Sequence, residues 1–396
     1  MEGTRRGPIV VVGAGIVGCS ITLHLAERGI RPVVVDPDRP ALGASASSFA
    51  SLSAFGKDPA AWYELARAGM ASWSRWAERL GGDIGLRRDG EVRWAADPRE
   101  GEDLAERVDR AQRTGYPVRL IGEPELRHLL PTAEPGTVAA ASFAPGDGQV
   151  EPPLVLRACR DALRQAGARL LLGRSAKVRV DDDGVRVEAG DELLRPSTTV
   201  LAAGAEAVQV AGEVGLDIPT VASPGMLVET HPLPPLTGKV VYLPGDPGPP
   251  VHLRQRQDGS VLVGERSQET VAADPSGEHA HALLAQAARF FPALRGVPGA
   301  AAHPRLAGHA RRPAADRRPG ALARRAVRGG HPQRGDGGAG PGAAGRPRDR
   351  RRRTGRHARP LPAGALRRAG HQGAAGGGVG LPRAPPAAPV ALERTD

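Results

Sequence analysis

The chain has 396 residues, long enough for two domains with cores of their own, and no run approaches the twenty apolar residues of a membrane span. Its net charge of +11 is unevenly placed: residues 1–300 carry 33 Lys and Arg against 38 Asp and Glu, while residues 301–396 carry 21 Arg, no Lys and 5 acids. The body is mildly acidic and all of the basic character lies in the tail, and two cysteines, Cys19 and Cys159, are too few for a disulfide framework, which fits a reducing, cytoplasmic setting.

The first thirty-odd residues organise the rest. Ile9–Val12 is a β-branched run that reads as a buried strand. Arg5 and Arg6 before it mimic a signal peptide, but a glycine fingerprint begins inside the same run and cleavage would destroy it. Gly13, Gly15 and Gly18 follow in the order G-x-G-x-x-G, with Ala14, Ile16 and Val17 between them. A helix-like stretch then stops at Gly29, and a second apolar strand, Val33–Val35, ends on Asp36. This is a βαβ unit with a dinucleotide fingerprint. Gly13 makes the tight turn, Gly15 lets the backbone approach a pyrophosphate and Gly18 lets helix and strand lie close. The pyrophosphate would sit on free N–H groups at the positive helix end, and Asp36 would accept hydrogen bonds from ribose hydroxyls. A carboxylate there repels the 2′-phosphate of NADP.

Residues 43–51 (Gly-Ala-Ser-Ala-Ser-Ser-Phe-Ala-Ser) are small and hydroxyl-bearing, as a close-packed loop beneath a cofactor requires, and as a plain flexible loop also allows. Trp62, Leu65, Met70, Trp73, Trp76 and Leu80 predict an amphipathic helix over 60–80 with the tryptophans in the core. Residues 85–95 predict a hairpin about Asp89-Gly90. A helix over about 100–114, a strand over 118–121 and a short helix from Glu123 to Leu130, ended by Pro131, come next. Asp147-Gly148 and Pro152-Pro153 read as turns before a helix over 154–165. Strands over 169–172, 176–180, 185–188 and 192–194, with Asp183-Gly184 as one turn, form an antiparallel meander that leads into Thr199–Gly204. In an NAD dehydrogenase the corresponding crossover is usually a helix; a meander favours an FAD domain. Strands over 225–230, 239–243, 250–255 and 260–264 predict a second antiparallel sheet, and a helix spans 279–291.

Taken together these pieces resemble the D-amino-acid oxidase-like FAD-dependent oxidoreductases, the group that includes glycine and sarcosine oxidases. The resemblance rests on Gly13–Gly18, Asp36, Gly43-Ala44-Ser45, Asp147-Gly148-x-Val150-x-Pro152, Gly167-Ala168 to Val178, Leu201–Gly204, Leu253-Arg254 to Gly264 and Arg289–Pro292, and covers about residues 8–295. It implies an α/β fold, with a Rossmann-like FAD domain (parallel sheet with β-meander) from residues 1–80 and 145–220 and an antiparallel-sheet substrate domain from 81–144 and 221–300. It implies FAD held non-covalently by Gly13, Ala14, Gly15, Ile16, Val17, Gly18, Asp36, Ala44, Ser45, Val178, Ala203 and Gly204. It implies oxidation of a C–N bond in a small amine or amino acid by hydride transfer to flavin, with O2 or another electron acceptor. The family commonly holds a substrate carboxylate with an arginine. Arg254 is the candidate, with a solvated strand arginine as its alternative; His252 and Ser48 are weaker catalytic or pocket candidates.

Residues 301–396 depart from the pattern. They lack Ile, Phe, Tyr, Trp, Met, Ser, Asn, Lys and Cys, so they are expected to form a disordered low-complexity tail rather than the strand, glycine loop and helix that the resemblance implies. An RNA-modifying flavoprotein with a basic arm is one reading, weakened by the absence of aromatics for base stacking. The preferred reading is a shifted reading frame: His331–Asp336 can be encoded so that codons one base later spell Thr-His-Ser-Gly-Val-Thr, a segment of the kind the family places near flavin, and Ala315–Arg318 can hide Thr-Asp-Gly. On that reading the break lies between about Pro292 and Arg311, and the chain is an impaired family member.

Overall fold

A computed structural model describes residues 7–38, 43–245, 250–265, 274 and 276–310, all within one compact unit. In chain order its elements are β1 (Ile9–Val12), α1 (Ile16–Ala26), β2 (Val33–Asp36), β3 (Ser51–Leu52), α2 (Ala60–Leu80), β4 (Glu91–Ala95), α3 (Pro98–Arg113), β5 (Arg119–Ile121), α4 (Glu123–Leu129), β6 (Ala140–Ala144), β7 (Gly148–Gln149) and α5 (Pro152–Gln165). Then come β8 (Arg169–Leu172), β9 (Ala176–Asp181), β10 (Gly184–Ala189), β11 (Glu192–Leu194), β12 (Thr198–Leu201) and α6 (Ala207–Gly212). The last are β13 (Thr220–Thr230), β14 (Val240–Tyr242), β15 (Val251–Gln255), β16 (Val261–Glu265), α7 (Gly277–Ala288) and β17 (Gly299–Ala310).

Four strands form a parallel sheet in the order β12-β1-β2-β8. Both faces of β1 are covered, which is why it reads as unbroken Ile and Val rather than as alternation. Val11 and Val34 point to α1 and α5, where Cys19, Leu23, Cys159 and Leu163 close the core; both cysteines are free and buried. Val10, Val12, Val33 and Val35 point the other way, onto Val178 and Val187 of the meander β9-β10-β11. Each of these side chains contributes about 1.5–3 kcal/mol by leaving water. Helix α1 ends as its sequence requires: Gly29 takes φ +75, its N–H donates to Ala26 O and that of Ile30 to Leu25 O.

Eight strands form the second sheet, in the order β17-β13-β16-β15-β14-β4-β6-β5. Its pairs are antiparallel except β4 with β14, where Val92 lies in register with Val241. That parallel seam joins the strands of 91–144 to those of 220–265, so two distant segments build one sheet. Helix α7 lies on it through Leu283, Leu284 and Ala287.

Several expectations are corrected. The strands on either side of Asp89-Gly90 do not pair with each other: Arg87 bridges to Gln149, while β4 pairs with β6 and β14. Gly90 makes the turn at φ +91, but a Cβ there would meet the Phe143 ring at 2.3 Å, so the chain turns into the sheet rather than back on itself. Pro152-Pro153 opens α5 instead of marking a turn, since proline is tolerated where helix N–H groups have no partner. β6 and β7 were not expected, and α7 ends at Ala288, short of Phe291. In α2 only Tyr63 and Leu80 are fully buried; Trp73 and Trp76 pack half-buried against the core as expected, but Trp62 is 48% exposed, with the Lys57 ammonium 4.7 Å above its ring. The tail does not begin at 301, because β17 pairs with β13 from Thr220↔Ala310 to Thr230↔Gly299. A run poor in apolar bulk still carries a backbone donor and acceptor at every residue but Pro304, which lacks the donor, and a sheet edge needs little more. Residues 311–396, with the expected disorder, basic arm and shifted-frame motifs, lie outside the described residues.

Candidate functional site

The fingerprint forms a backbone cradle at the end of β1. Gly13 has φ +108, and a Cβ on it would stand 2.3 Å from Ala202 O. A Cβ on Gly18 would stand 1.9 Å from Gly13 O. Both positions therefore exclude every side chain. Gly15 differs: its Cβ would meet only Ser45 Oγ, at 3.1 Å, so nothing in the chain itself demands a glycine there. The space in front of Gly15, at the first turn of α1, is the space a pyrophosphate would use.

Two side chains steady this turn. Asp36 Oδ2 accepts from Ala14 N at 2.7 Å, and Oδ1 accepts from Asp38 N at 2.6 Å. A carboxylate offers about four lone-pair sites, so capacity remains for ribose hydroxyls. Ser45 Oγ accepts from Ile16 N at 3.0 Å, satisfying a helix N–H from a different segment. Ala44 and the Val17 side chain are exposed beside it. Val178 and Ala203 pack in the cluster that holds Val12 and Val35, and Gly204 follows with φ +59. The structure thus gathers the expected cofactor residues around one end of the parallel sheet, and their geometry fits a dinucleotide.

The loop that begins at Ser45 runs on to the second sheet. Ser48 Oγ accepts from Ala50 N, shaping the left-handed turn at Ala50. The Phe49 ring meets His252 edge-on with centroids 4.2 Å apart. Phe55 lies under the Arg93 guanidinium at 4.9 Å. Arg93, Trp94, Arg107, Tyr242 and His252 line a cavity of about 240 Å³. Of the two weaker candidates, His252 is in this cavity, while Ser48 is in the loop behind it.

Arg254 is neither a solvated strand arginine nor a residue of the cavity. It is fully buried; its Nε donates to Phe49 O at 2.6 Å and its Nη1 to Glu151 Oε1 at 2.8 Å. Glu151 Oε2 also takes Arg256 Nε at 2.9 Å. Burial holds the Arg254 pKa below its ordinary value, and Glu151 opposes that. The residue ties the loop to β15 and to the start of α5.

Sequence reasoning missed a second buried group, Glu91, Arg93, Tyr116 and Asp147. Glu91 and Arg93 are two apart on β4 and so share a face; Arg93 Nε donates to Glu91 Oε1 at 2.5 Å. The Tyr116 hydroxyl donates to Asp147 Oδ1 and accepts from Ala54 N. Burial, reinforced by the Glu91 charge, pushes the Asp147 carboxyl up to about 7, against hydrogen bonds from Tyr116 and Ser53. Burial and then Asp147 raise the Tyr116 phenol. Burial and then the Arg93 charge lower Lys57. The available signal was a strand, Glu91-Val92-Arg93-Trp94, with both charges on one face.

A glycine oxidase from Geobacillus kaustophilus is 28% identical over 246 residues, 60% of this chain and 65% of that protein. Its crystal structure superposes with a TM-score of 0.69 at 25% identity, covering 78% of this chain and 84% of that one. Mitochondrial dimethylglycine dehydrogenase from Mus musculus is 26% identical over 273 residues, 68% of this chain and 31% of that protein. The chain therefore spans less than two thirds of these curated relatives. The crystal structure of L-proline dehydrogenase from P. horikoshii shares the fold, with a TM-score of 0.68 at 21% identity. The family model for FAD dependent oxidoreductases matches residues 8–335, a span that takes in the glycine cradle, the Ser45 loop and the cavity, and with it the chain belongs to the FAD-dependent oxidoreductase family and uses FAD.

Proposed function

We propose that the chain oxidises the C–N bond of a small amine or amino acid with FAD, passing the electrons to O2 or another acceptor. The observation that carries this reading is the continuity of the loop 43–57, which caps the fingerprint helix through Ser45 and supports the cavity through Phe49 and Phe55. When bound, FAD supplies the hydride acceptor. Gly13, Gly15, Gly18 and the N–H groups of the first turn of α1 would take the pyrophosphate, and Asp36 the ribose. Tyr242, Trp94 and His252 form aromatic walls that restrict water and orient a small substrate. Glycine oxidase and dimethylglycine dehydrogenase among the relatives support an amino acid or N-methylated amino acid as substrate. The two free buried thiols fit a cytoplasmic setting.

The test is oxygen uptake, or reduction of an artificial dye, by the flavin-loaded protein given glycine, N-methylglycine, N,N-dimethylglycine or proline. Turnover of at least one above the flavin-free background supports the reading; turnover of none opposes it. The composition break near residue 301 favours a second reading, an impaired member. Under it, a version restored to the other frame from about residue 300 binds flavin more tightly and turns over faster than this chain. Equal behaviour of the two removes it.

A further inference from the structure

Cys19 and Cys159 are the only cysteines of the chain, and the core beside the parallel sheet brings them face to face. On α1, Cys19 and Leu23 are four residues apart and share one face; on α5, Val155, Cys159 and Leu163 form the facing stripe. All five pack in one buried cluster with Val11 and Val34, and neither cysteine reaches solvent. Cys19 does more than fill space. Its Sγ–H donates to Ala14 O at 3.3 Å, while Ala14 N donates to Asp36 Oδ2 at 2.7 Å. The thiol and the carboxylate thus hold the carbonyl and the amide of one residue of the fingerprint turn.

The two sulfurs are unequal. Contact with Cys159 lowers the Cys19 thiol, with burial opposing and the Arg160 charge assisting; contact with Cys19, and then burial, raises Cys159. Cys19 also lies four residues into α1, at the positive end of the helix. One sulfur is suited to lose its proton and attack, and the other to keep its proton until a partner sulfur is activated.

We propose that Cys19 and Cys159 form a modification site, a dithiol that hydrogen peroxide converts to a disulfide stapling α1 to α5, and that the staple loosens FAD. The Cys19 thiolate attacks one peroxide oxygen. The O–O bond breaks, and the departing hydroxide takes up the proton that Cys19 released, leaving water and a Cys19 sulfenic acid. The Cys159 sulfur then attacks the Cys19 sulfur. The S–O bond breaks, and hydroxide leaves with the Cys159 proton as a second water. Two thiol hydrogens and two electrons have passed to peroxide. Cys19 then has no hydrogen to give Ala14 O, and its sulfur is drawn onto α5, so the fingerprint turn loses one of its two holds.

The experiment treats the folded protein, flavin-loaded and flavin-free, with hydrogen peroxide, and follows thiol content, intact mass and flavin affinity. Both thiols should vanish together, the mass should fall by two hydrogen atoms, and dithiothreitol should reverse both changes. Flavin should bind about 3- to 10-fold more weakly to the oxidised form, the range expected for one lost hydrogen bond, and recover on reduction. Cys19→Ala, which also lacks the donor, should bind flavin as weakly as the oxidised form and not respond to peroxide. Cys159→Ala should bind flavin normally and, under peroxide, yield a Cys19 sulfenic acid that a 1,3-dicarbonyl reagent captures. Peroxide is close to water in size, so it should reach the native thiols faster than a bulky maleimide does, each rate being scaled to that on the unfolded chain. Equal scaled rates would mean that the thiols react only on unfolding and would overturn the site. Sulfinic acids or crosslinked dimers in place of the internal disulfide would also overturn it. A disulfide that leaves flavin affinity unchanged would overturn its link to the cradle.

Discussion

The parallel sheet and the eight-stranded sheet offer their ligands different kinds of surface. At the end of β1 the groups available to a dinucleotide are mostly backbone atoms, shaped by glycines within six residues of one another, with the Asp36 carboxylate beside them. In the other sheet the groups that line the cavity are side chains from four elements: Arg93 of β4, Arg107 of α3, Tyr242 of β14 and His252 of β15. Backbone recognition depends on local spacing and tolerates no substitution. Side-chain recognition depends on how distant strands register, here across the parallel β4/β14 seam, and leaves room for specificity to change.

The largest expected effect tests the rigidity of the first region. Gly18→Ala puts a Cβ 1.9 Å from Gly13 O, a backbone clash, and should abolish both flavin retention and cooperative unfolding of the apoprotein. Gly15→Val should separate the two: its nearest obstacle is Ser45 Oγ, so the apoprotein should melt near the unaltered temperature while flavin content is lost. If Gly15→Val retains normal flavin, the cradle is misassigned.

Next in size is the tie between the regions. Arg254→Ala strips the buried Glu151 of one partner and leaves Phe49 O unsatisfied, which should cost about 3–5 kcal/mol in denaturant unfolding. A loss below about 1 kcal/mol would mean that the loop does not depend on this arginine.

A smaller effect should appear as a pH dependence confined to the second region. The Asp147 carboxyl is raised in the folded state from its ordinary 3.8 to about 7. Its contribution to stability is therefore fully present below about pH 4 and lost as pH rises through about 7. Asp147→Asn should flatten the fall in Tm between about pH 4 and 7, by about 2–4 °C for each kcal/mol involved. Parallel curves for the two proteins would show that Asp147 ionises normally. The smallest effect belongs to Ser45→Ala, which frees the Ile16 N–H and should cost about 1 kcal/mol, with flavin held more loosely.

The same contrast explains what could be read from the chain. The βαβ unit was legible because strand, glycines and Asp36 lie within thirty residues and each acts through local geometry. The meander and the strands of 225–264 were legible from alternation and Asp-Gly turns. The cavity was not, because Arg93 and Tyr242 are about 150 residues apart in sequence and meet only through strand pairing. Arg254 misled because a single arginine in a strand does not reveal a buried partner, and Glu151 lies 103 residues before it. Gly299–Ala310 misled for another reason: composition predicts cores, and an edge strand is held by its backbone.

Both regions must act on the same molecule if the account holds, and anaerobic mixing of the flavin-loaded chain with N-methylglycine asks this in one step. The account predicts that the visible flavin band bleaches at a rate that saturates with substrate. A chain that retains flavin but whose band stays unbleached by N-methylglycine, glycine and proline alike would contradict it.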